Sequence, residues 1–75
     1  MTVVEVVFRY GNTPGPKEMR AIDSVRDVYG IRRIAWNEDG HTLRVEYDAS
    51  RLNGDIVAGL LRRAGIDVGE KLALA

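Results

Sequence analysis

The spacing of hydrophobic residues changes between two periods along this chain, and the order of those changes limits its fold. Residues 2–10, "TVVEVVFRY", alternate every second position, which predicts a strand. Residues 17–30 repeat their apolar side chains every three or four positions, which predicts a helix. The strands "IRRIAW" and "TLRVEYD" then flank the turn sequence "NEDGH", and a second helical pattern, "DIVAGLLRRAG", precedes a last strand in "IDVGEKLALA". The predicted order is therefore β-α-β-β-α-β.

This order predicts an α+β fold of the ferredoxin-like βαββαβ type. In that sandwich, two amphipathic helices bury their apolar stripes on one face of a four-stranded antiparallel sheet. The 75 residues contain no linker and no internal repeat, so we expect a single domain over 1–75. Nothing in the sequence ties down the tail from about residue 70, so the prediction leaves it free to be disordered.

The same periodicities predict the core. On the first strand the core face is Val4, Val6, Phe8 and Tyr10. The other predicted core residues are Ile34, Trp36, Leu43, Val45 and Tyr47 on strands, and Ala21, Ile22, Val25, Val28, Tyr29, Ile56, Val57, Leu60, Leu61 and Ala64 on helices.

Turn and cap residues mark the predicted ends of these elements. Gly30 and Gly65 are expected to end the two helices, because glycine is the usual residue after a helix C-terminus. Ser50 or Asn53 is expected to cap the second helix. Asp39-Gly40 is expected to form the hairpin turn.

Composition excludes several classes of function. The chain has 11 Lys and Arg against 11 Asp and Glu, without the basic excess on which phosphate binding depends, so we expect no nucleic-acid partner. It has no cysteine, which excludes disulfides, thiol nucleophiles and thiolate metal sites. No apolar run approaches ~18 residues and no signal peptide is evident, so the prediction is a cytoplasmic protein without a membrane partner.

Four short segments carry a family resemblance: "GNTPGPK" from Gly11, "YGI" ending at Ile31, "VEYDASRL" and "LLRRAGIDV". They resemble the heavy-metal-associated domains of copper chaperones and metal-pumping ATPases, which run "GMTCxxC", a helix, Gly-Val, "YD" and "Gly-aromatic-x-Val". From Gly11 to Val68 these landmarks fall in register without gaps. The resemblance implies the same βαββαβ fold and a metal-handling context.

The chain departs from that family at the residues that bind metal. The two cysteine positions are occupied by Pro14 and Lys17, and the methionine after the first glycine of the loop is Asn12. Proline has no ligand atom and lysine adds positive charge, so neither replaces a soft anionic thiolate. We therefore expect no soft-metal binding at this loop and no cofactor.

The resemblance also leaves the phase of the first strand open. A gapless register favours Val3, Glu5, Val7 and Arg9 as the core face, whereas the apolar alternation favours the other set. Either the strand shifts by one residue or the following loop holds an extra residue in a bulge, and a one-residue shift would turn the strand over.

A second hypothesis makes the same loop an anion or ligand site formed by Gly11, Asn12, Thr13, Gly15 and Lys17. Backbone N–H groups at a helix N-terminus favour anions, and the lysine side chain adds a countercharge. The alternative is purely structural, since proline at the first helical position starts a helix.

Three further hypotheses complete the sequence prediction. The open face of the sheet, with Val3, Val7, Arg9 and Arg44, is a candidate interaction face for a second copy or a partner domain. A ligand-sensing role like that of ACT domains is an alternative, because they share the βαββαβ order and often have Pro-Gly after the first strand. Residual metal binding through His41 and neighbouring acidic residues is a weaker alternative. No catalytic motif is present, so the predicted function is a non-catalytic interaction or regulatory module.

Overall fold

The computed structural model describes residues 2–74, without the side chains of residues 70, 73 and 74. Its elements are β1 (Val3–Tyr10), α1 (Pro16–Arg26), β2 (Ile31–Asn37), β3 (Thr42–Asp48), α2 (Gly54–Arg63) and β4 (Val68–Leu74). The strands form one sheet in the order β2-β3-β1-β4, and every neighbouring pair is antiparallel. The predicted α+β ferredoxin-like fold is thus confirmed.

The phase of β1 follows the apolar alternation. Val6, Phe8 and Tyr10 are at most 3% exposed, whereas Val3 and Arg9 are exposed. The face favoured by a gapless register is therefore the outer face of the sheet. The pairing of β1 with β4 is irregular, because its register shifts on both sides of Phe8. The extra residue at each shift lies on β4, so these bulges leave the phase of β1 unchanged.

Tyr29 was predicted to lie in the core, and that prediction is wrong. α1 ends at Arg26, and the chain turns into β2 at Gly30, which has a φ of 104°. Tyr29 therefore lies outside the helical stripe and is 73% exposed. Its ring carries the Arg51 guanidinium 4.1 Å from the centroid, a cation–π contact at the surface.

Only part of the apolar stripe of α2 is buried in the core. Val57 and Leu61 are fully buried, but Leu60 and Ala64 are only half-buried, and Ile56 is 46% exposed. The prediction that all five are core residues is wrong for Ile56, because the sheet and α1 contact only part of the stripe.

Asn53, not Ser50, caps α2. The Asn53 side-chain oxygen accepts a hydrogen bond from the Ile56 backbone N–H at 2.9 Å. Ser50 is held elsewhere, because its backbone N–H and hydroxyl donate to Asp48 Oδ1 at 3.0 and 2.7 Å. Gly65 follows the C-terminus of α2 with a φ of 91°, as predicted.

The hairpin between β2 and β3 has a four-residue loop, Glu38 to His41. Its left-handed residue is His41, with a φ of 50°, rather than Gly40. The loop is closed by bonds from Gly40 N to Asn37 Oδ1 and from His41 N to Glu38 O, each 3.3 Å long. The predicted turn is in the right place, but its strained residue is one position later.

β4 continues past residue 70, where the sequence analysis predicted a tail that was free to be disordered. Its pairing with β1 extends to Leu74, which lies opposite Val6. Ala75 lies outside the described residues.

Candidate functional site

The loop between β1 and α1 is tied to the start of β4 by one acidic residue, Asp67. The Gly11 N–H donates to the Asp67 carbonyl at 3.0 Å, and the Asn12 N–H donates to Asp67 Oδ2 at 3.1 Å. A Cβ atom on Gly11 would collide with that same carboxylate oxygen, so glycine allows the close approach. The first half of the loop is therefore held by a carboxylate that the protein itself supplies.

The second half of the loop is held in the same way by Glu18. The N–H of Gly15, the N-cap residue of α1, donates to Glu18 Oε1 at 2.9 Å. The next residue, Pro16, opens the helix and has no N–H to satisfy. An acidic side chain in the first turn also interacts favourably with the helix dipole.

These bonds bear directly on the anion hypothesis. Of its five residues, Gly11, Asn12 and Gly15 already donate their N–H groups within the protein. The other two members of the set are Thr13 and Lys17, and both are exposed. The hypothesis stays a prediction, and the two carboxylates weigh against it because they occupy the positions that an anion would take.

The two positions that correspond to metal-binding cysteines flank the N-cap of α1. Pro14 lies just before Gly15, and Lys17 is the second residue of the helix. Within the part of the chain that the structure describes, no group of three or more His, Cys, Asp or Glu side chains is placed to hold a metal ion. The correspondence of this loop to a metal loop stays a prediction.

His41 is engaged by aromatic side chains. Its ring stacks on Tyr10 with a centroid distance of 5.2 Å and an interplanar angle of 24°. Tyr10 in turn meets Trp36 edge to face at 5.2 Å, and the Trp36 indole N–H is buried with no acceptor among the described residues. Residual metal binding by His41 stays a prediction, and this stacking gives the histidine a structural role.

The predicted interaction face does lie together on the side of the sheet away from the helices. Val7 is opposite Arg44 in the β1–β3 pairing, Arg9 is opposite Thr42, and Val3 precedes them on the same face. Val7 and Arg44 also line a shallow depression of about 210 Å³. Arg44 Nε lies 3.3 Å from Glu5 Oε1, so the face carries both signs of charge.

Arg33 also belongs to this face, and the sequence did not predict it. It pairs with Glu46 in the same register in which Ile34 pairs with Val45, so alternation from Ile34 places it on the outer face. The register shift lies before it, and places Ile31 opposite the buried Tyr47. We call the outer-face residues Val3, Glu5, Val7, Arg9, Arg33, Arg44 and Glu46 the open sheet face.

Asp48, at the end of β3, is the one buried charged residue among those described. The Ser50 hydroxyl and then the Ser50 backbone N–H, both donating to its carboxylate, lower the pKa of Asp48 below its usual value. Arg51 Nε lies 3.9 Å from the other carboxylate oxygen. The ionised side chain of Asp48 therefore holds Ser50 and Arg51 in the connection between β3 and α2.

Three surface depressions lie away from the loop between β1 and α1. The first is on the open sheet face, the second lies between α1 and α2, and the third lies beside Tyr29 and Asp48. None of them includes a residue of the Pro14-Gly15 turn, so the ligand-sensing alternative gains no support. Within residues 2–74, neither helix is both long enough and apolar enough to cross a membrane.

Comparison with solved structures identifies similar folds. The yeast copper transporter domain Ccc2a, solved in solution in apo and Cu(I) states, has a TM-score of 0.74 and 18% identity, covering 95% of this chain and 97% of that one. A second structure of that domain has a TM-score of 0.72 at 18% identity over 93% and 96%. Apo-CopP from Helicobacter pylori has a TM-score of 0.71 and 21% identity over 87% and 98%. Neither a protein-family model nor a curated protein sequence matches the chain. The predicted resemblance is confirmed at the level of the fold.

Proposed function

We propose that this chain is a non-catalytic protein-interaction domain that works without a bound soft metal. The proposal rests on the loop between β1 and α1, where the family resemblance aligns Pro14 and Lys17 with the two thiolate positions. Cu(I) selects soft anionic sulfur ligands, and the chain contains no cysteine. A metal-handling pathway is the proposed context, because Ccc2a, which has the same fold, is a copper transporter domain.

Titration with Cu(I), followed by amide NMR, tests the loss of the metal site. We expect no shifts centred on residues 11–19 of the wild type at about 10 µM Cu(I), because no thiolate is present. The variant Pro14→Cys/Lys17→Cys should bind Cu(I) at this loop, and Lys17→Cys alone is the matched control. Shifts in residues 11–19 of the wild type would contradict the proposal.

We propose a second copy of the chain as the occupant of the open sheet face. A two-fold interface brings a surface against itself, so it must contain groups that complement one another. This face does, because Glu5 and Glu46 lie among Arg9, Arg33 and Arg44. The exposed Val3 and the half-buried Val7 supply apolar contact between these charges.

The size of the open sheet face implies a weak dimer. Strands of about seven residues and four strands side by side span roughly 24 by 19 Å. That projected area is well below the ~800 Å² per partner of a standard stable interface. We therefore expect a transient homodimer with a Kd on the order of 0.1–1 mM.

Sedimentation equilibrium at several protein concentrations tests this dimer. The variant Val3→Lys should weaken the association, because it adds charge to the apolar part of the face. Met19→Lys is the matched control, since Met19 is a similarly exposed apolar residue on α1, at 38% against 45% for Val3. A strict monomer at about 1 mM, or equal effects of the two substitutions, would contradict the proposal.

A further inference from the structure

A groove of about 270 Å³ runs between α1 and α2. Its walls are Ala21, Ser24 and Val25 from α1, Leu60 and Arg63 from α2, and Val28 and Ala64 just after the ends of those helices. The side chains of alanine and serine are short, so the two helices leave room above their contact. The sequence did not predict this groove, because helical periodicity alone does not show how far two helices separate.

On the α2 side of the groove, apolar side chains remain partly exposed to solvent. Leu60 is half-buried within the groove, and Ile56, one turn before it on the same side of α2, is 46% exposed. These residues belong to the same apolar stripe as the fully buried Leu61. The stripe thus continues beyond the core and into the groove.

The charge that lines the groove is positive. Among the described residues, Arg63 is the one charged residue of its lining. Lys17 lies four residues before Ala21 on α1, and Arg20 lies four residues before Ser24, so both extend the same helical face. Glu18, three residues before Ala21, is held at the N-terminus of α1, where its Oε1 accepts the Gly15 N–H. Among the described side chains, Arg63, Lys17 and Arg20 form no salt bridge.

We infer that this groove binds an amphipathic helix of a partner protein, one with an apolar stripe flanked by acidic residues. A helix laid in such a groove buries the exposed apolar stripe of α2 and places its carboxylates near Arg63, Arg20 and Lys17. A second copy of this chain does not fit, because a two-fold contact through the groove would bring arginines near arginines. The inference rests on the proposed role as an interaction domain but not on the dimer across the open sheet face.

Two synthetic helical peptides of about 16 residues test the inference, a length that covers both helix walls. They share one leucine and alanine stripe, flanked by glutamates in the first and by lysines in the second. Titrated into labelled protein, the glutamate peptide should shift the amides of Ala21, Ser24, Leu60 and Arg63, with a Kd on the order of 10–100 µM. The lysine peptide should bind at least ~10-fold more weakly, because it meets charges of its own sign.

Two substitutions on α2 give a matched comparison. Arg63→Glu, in the groove, should weaken binding of the glutamate peptide by on the order of 10-fold and favour the lysine peptide. Arg62→Glu changes the neighbouring exposed arginine, which does not line the groove, and should change the Kd less than ~2-fold. Equal affinity of the two peptides, equal effects of the two variants, or no shift at millimolar peptide would overturn the inference.

The outcome is separable from that of the proposed dimer. A monomer in sedimentation would remove the dimer and leave peptide binding unaffected. Conversely, self-association that Arg63→Glu abolishes and Val3→Lys does not would show a second copy in the groove, and the inference would be wrong.

Discussion

At the residue scale, the carboxylate of Asp67 fixes the first half of the loop between β1 and α1. It accepts the Asn12 N–H at 3.1 Å and occupies the space that a side chain on Gly11 would need. The hydrogen bond and the glycine therefore depend on each other. Asn12 and Asp67 are in contact although they lie 55 positions apart in the sequence.

The first prediction tests this dependence. Gly11→Ala should lower the free energy of unfolding by about 1 kcal/mol, because the new methyl group displaces the Asp67 carboxylate and its hydrogen bond. In an Asp67→Ala background the same substitution should cost much less, since the obstructing carboxylate is gone. Urea unfolding of the four proteins measures the cycle, and an equal cost of Gly11→Ala in both backgrounds would contradict it.

The second prediction concerns the pH dependence of stability at Asp48. The pKa of Asp48 is lowered in the folded protein, chiefly by the Ser50 hydroxyl, so the folded state favours the carboxylate. That contribution to stability is fully present above the usual carboxyl pKa, about 3.9. It should be lost as the pH falls below this value through the lowered pKa of the folded protein.

Ser50→Ala isolates the cause. Without the hydroxyl the folded pKa of Asp48 should move back towards its ordinary value, and the loss of stability below about pH 4 should become shallower. Ser24→Ala is the control, because none of the described hydrogen bonds involves the Ser24 side chain. Melting temperatures measured from pH 2 to pH 6 suffice as the readout, and identical slopes for the two variants would contradict this role of Ser50.

At the scale of elements, α2 depends on a side chain from outside the helix. Asn53 is the N-cap residue whose own side chain accepts a bond from the first turn, whereas the N-cap of α1 is Gly15, which has no side chain. The third prediction is that Asn53→Ala lowers the free energy of unfolding by about 1 kcal/mol, because the Ile56 N–H loses its acceptor. Asn53→Asp should retain most of the stability, as aspartate is also a good cap. Equal losses in the two variants would assign the effect to another cause.

Hydrophobic periodicity predicted the type and order of every element but not where the chain leaves its helix. The apolar spacing of Val25 continues through Val28 and Tyr29, yet α1 ends at Arg26. Periodicity reports which side chains are apolar, while the end of a helix depends on how the following turn packs. The register shift that places Ile31 opposite Tyr47 was missed for a related reason, since a shift in the strand pairing has no local sequence signal.

The loop between β1 and α1 was predictable in position but not in its bonding. The loss of both thiolates at Pro14 and Lys17 could be read directly from residue types. The anchoring by Asp67 and Glu18 could not, because one contact spans most of the chain and both depend on side-chain direction. Residue chemistry thus argued against a soft-metal site, whereas long-range geometry determines how the loop is held.

At the scale of the whole molecule, the formal net charge is zero, but two surfaces differ in the charges that they carry. The open sheet face carries both signs, which suits contact with an identical face. The groove between α1 and α2 is lined by one charged residue, Arg63, which suits an acidic partner. The net charge of the chain indicates that there is no general basic field, but it does not distinguish these two surfaces.

The last prediction links metal to the stability of the whole domain. A ligand that binds only the folded state stabilises it by mass action, by about 2.7 kcal/mol at 100 times the Kd. For a domain of this size, each kcal/mol raises the melting temperature by about 4–8 °C. Cu(I) in excess should therefore leave the wild-type melting temperature unchanged and raise that of Pro14→Cys/Lys17→Cys, with Lys17→Cys as the control. Addition of a Cu(I) chelator should reverse the rise. Copper binding by the unfolded double variant reduces the rise but cannot create one in the wild type, so a wild-type shift would show that the loop still binds metal.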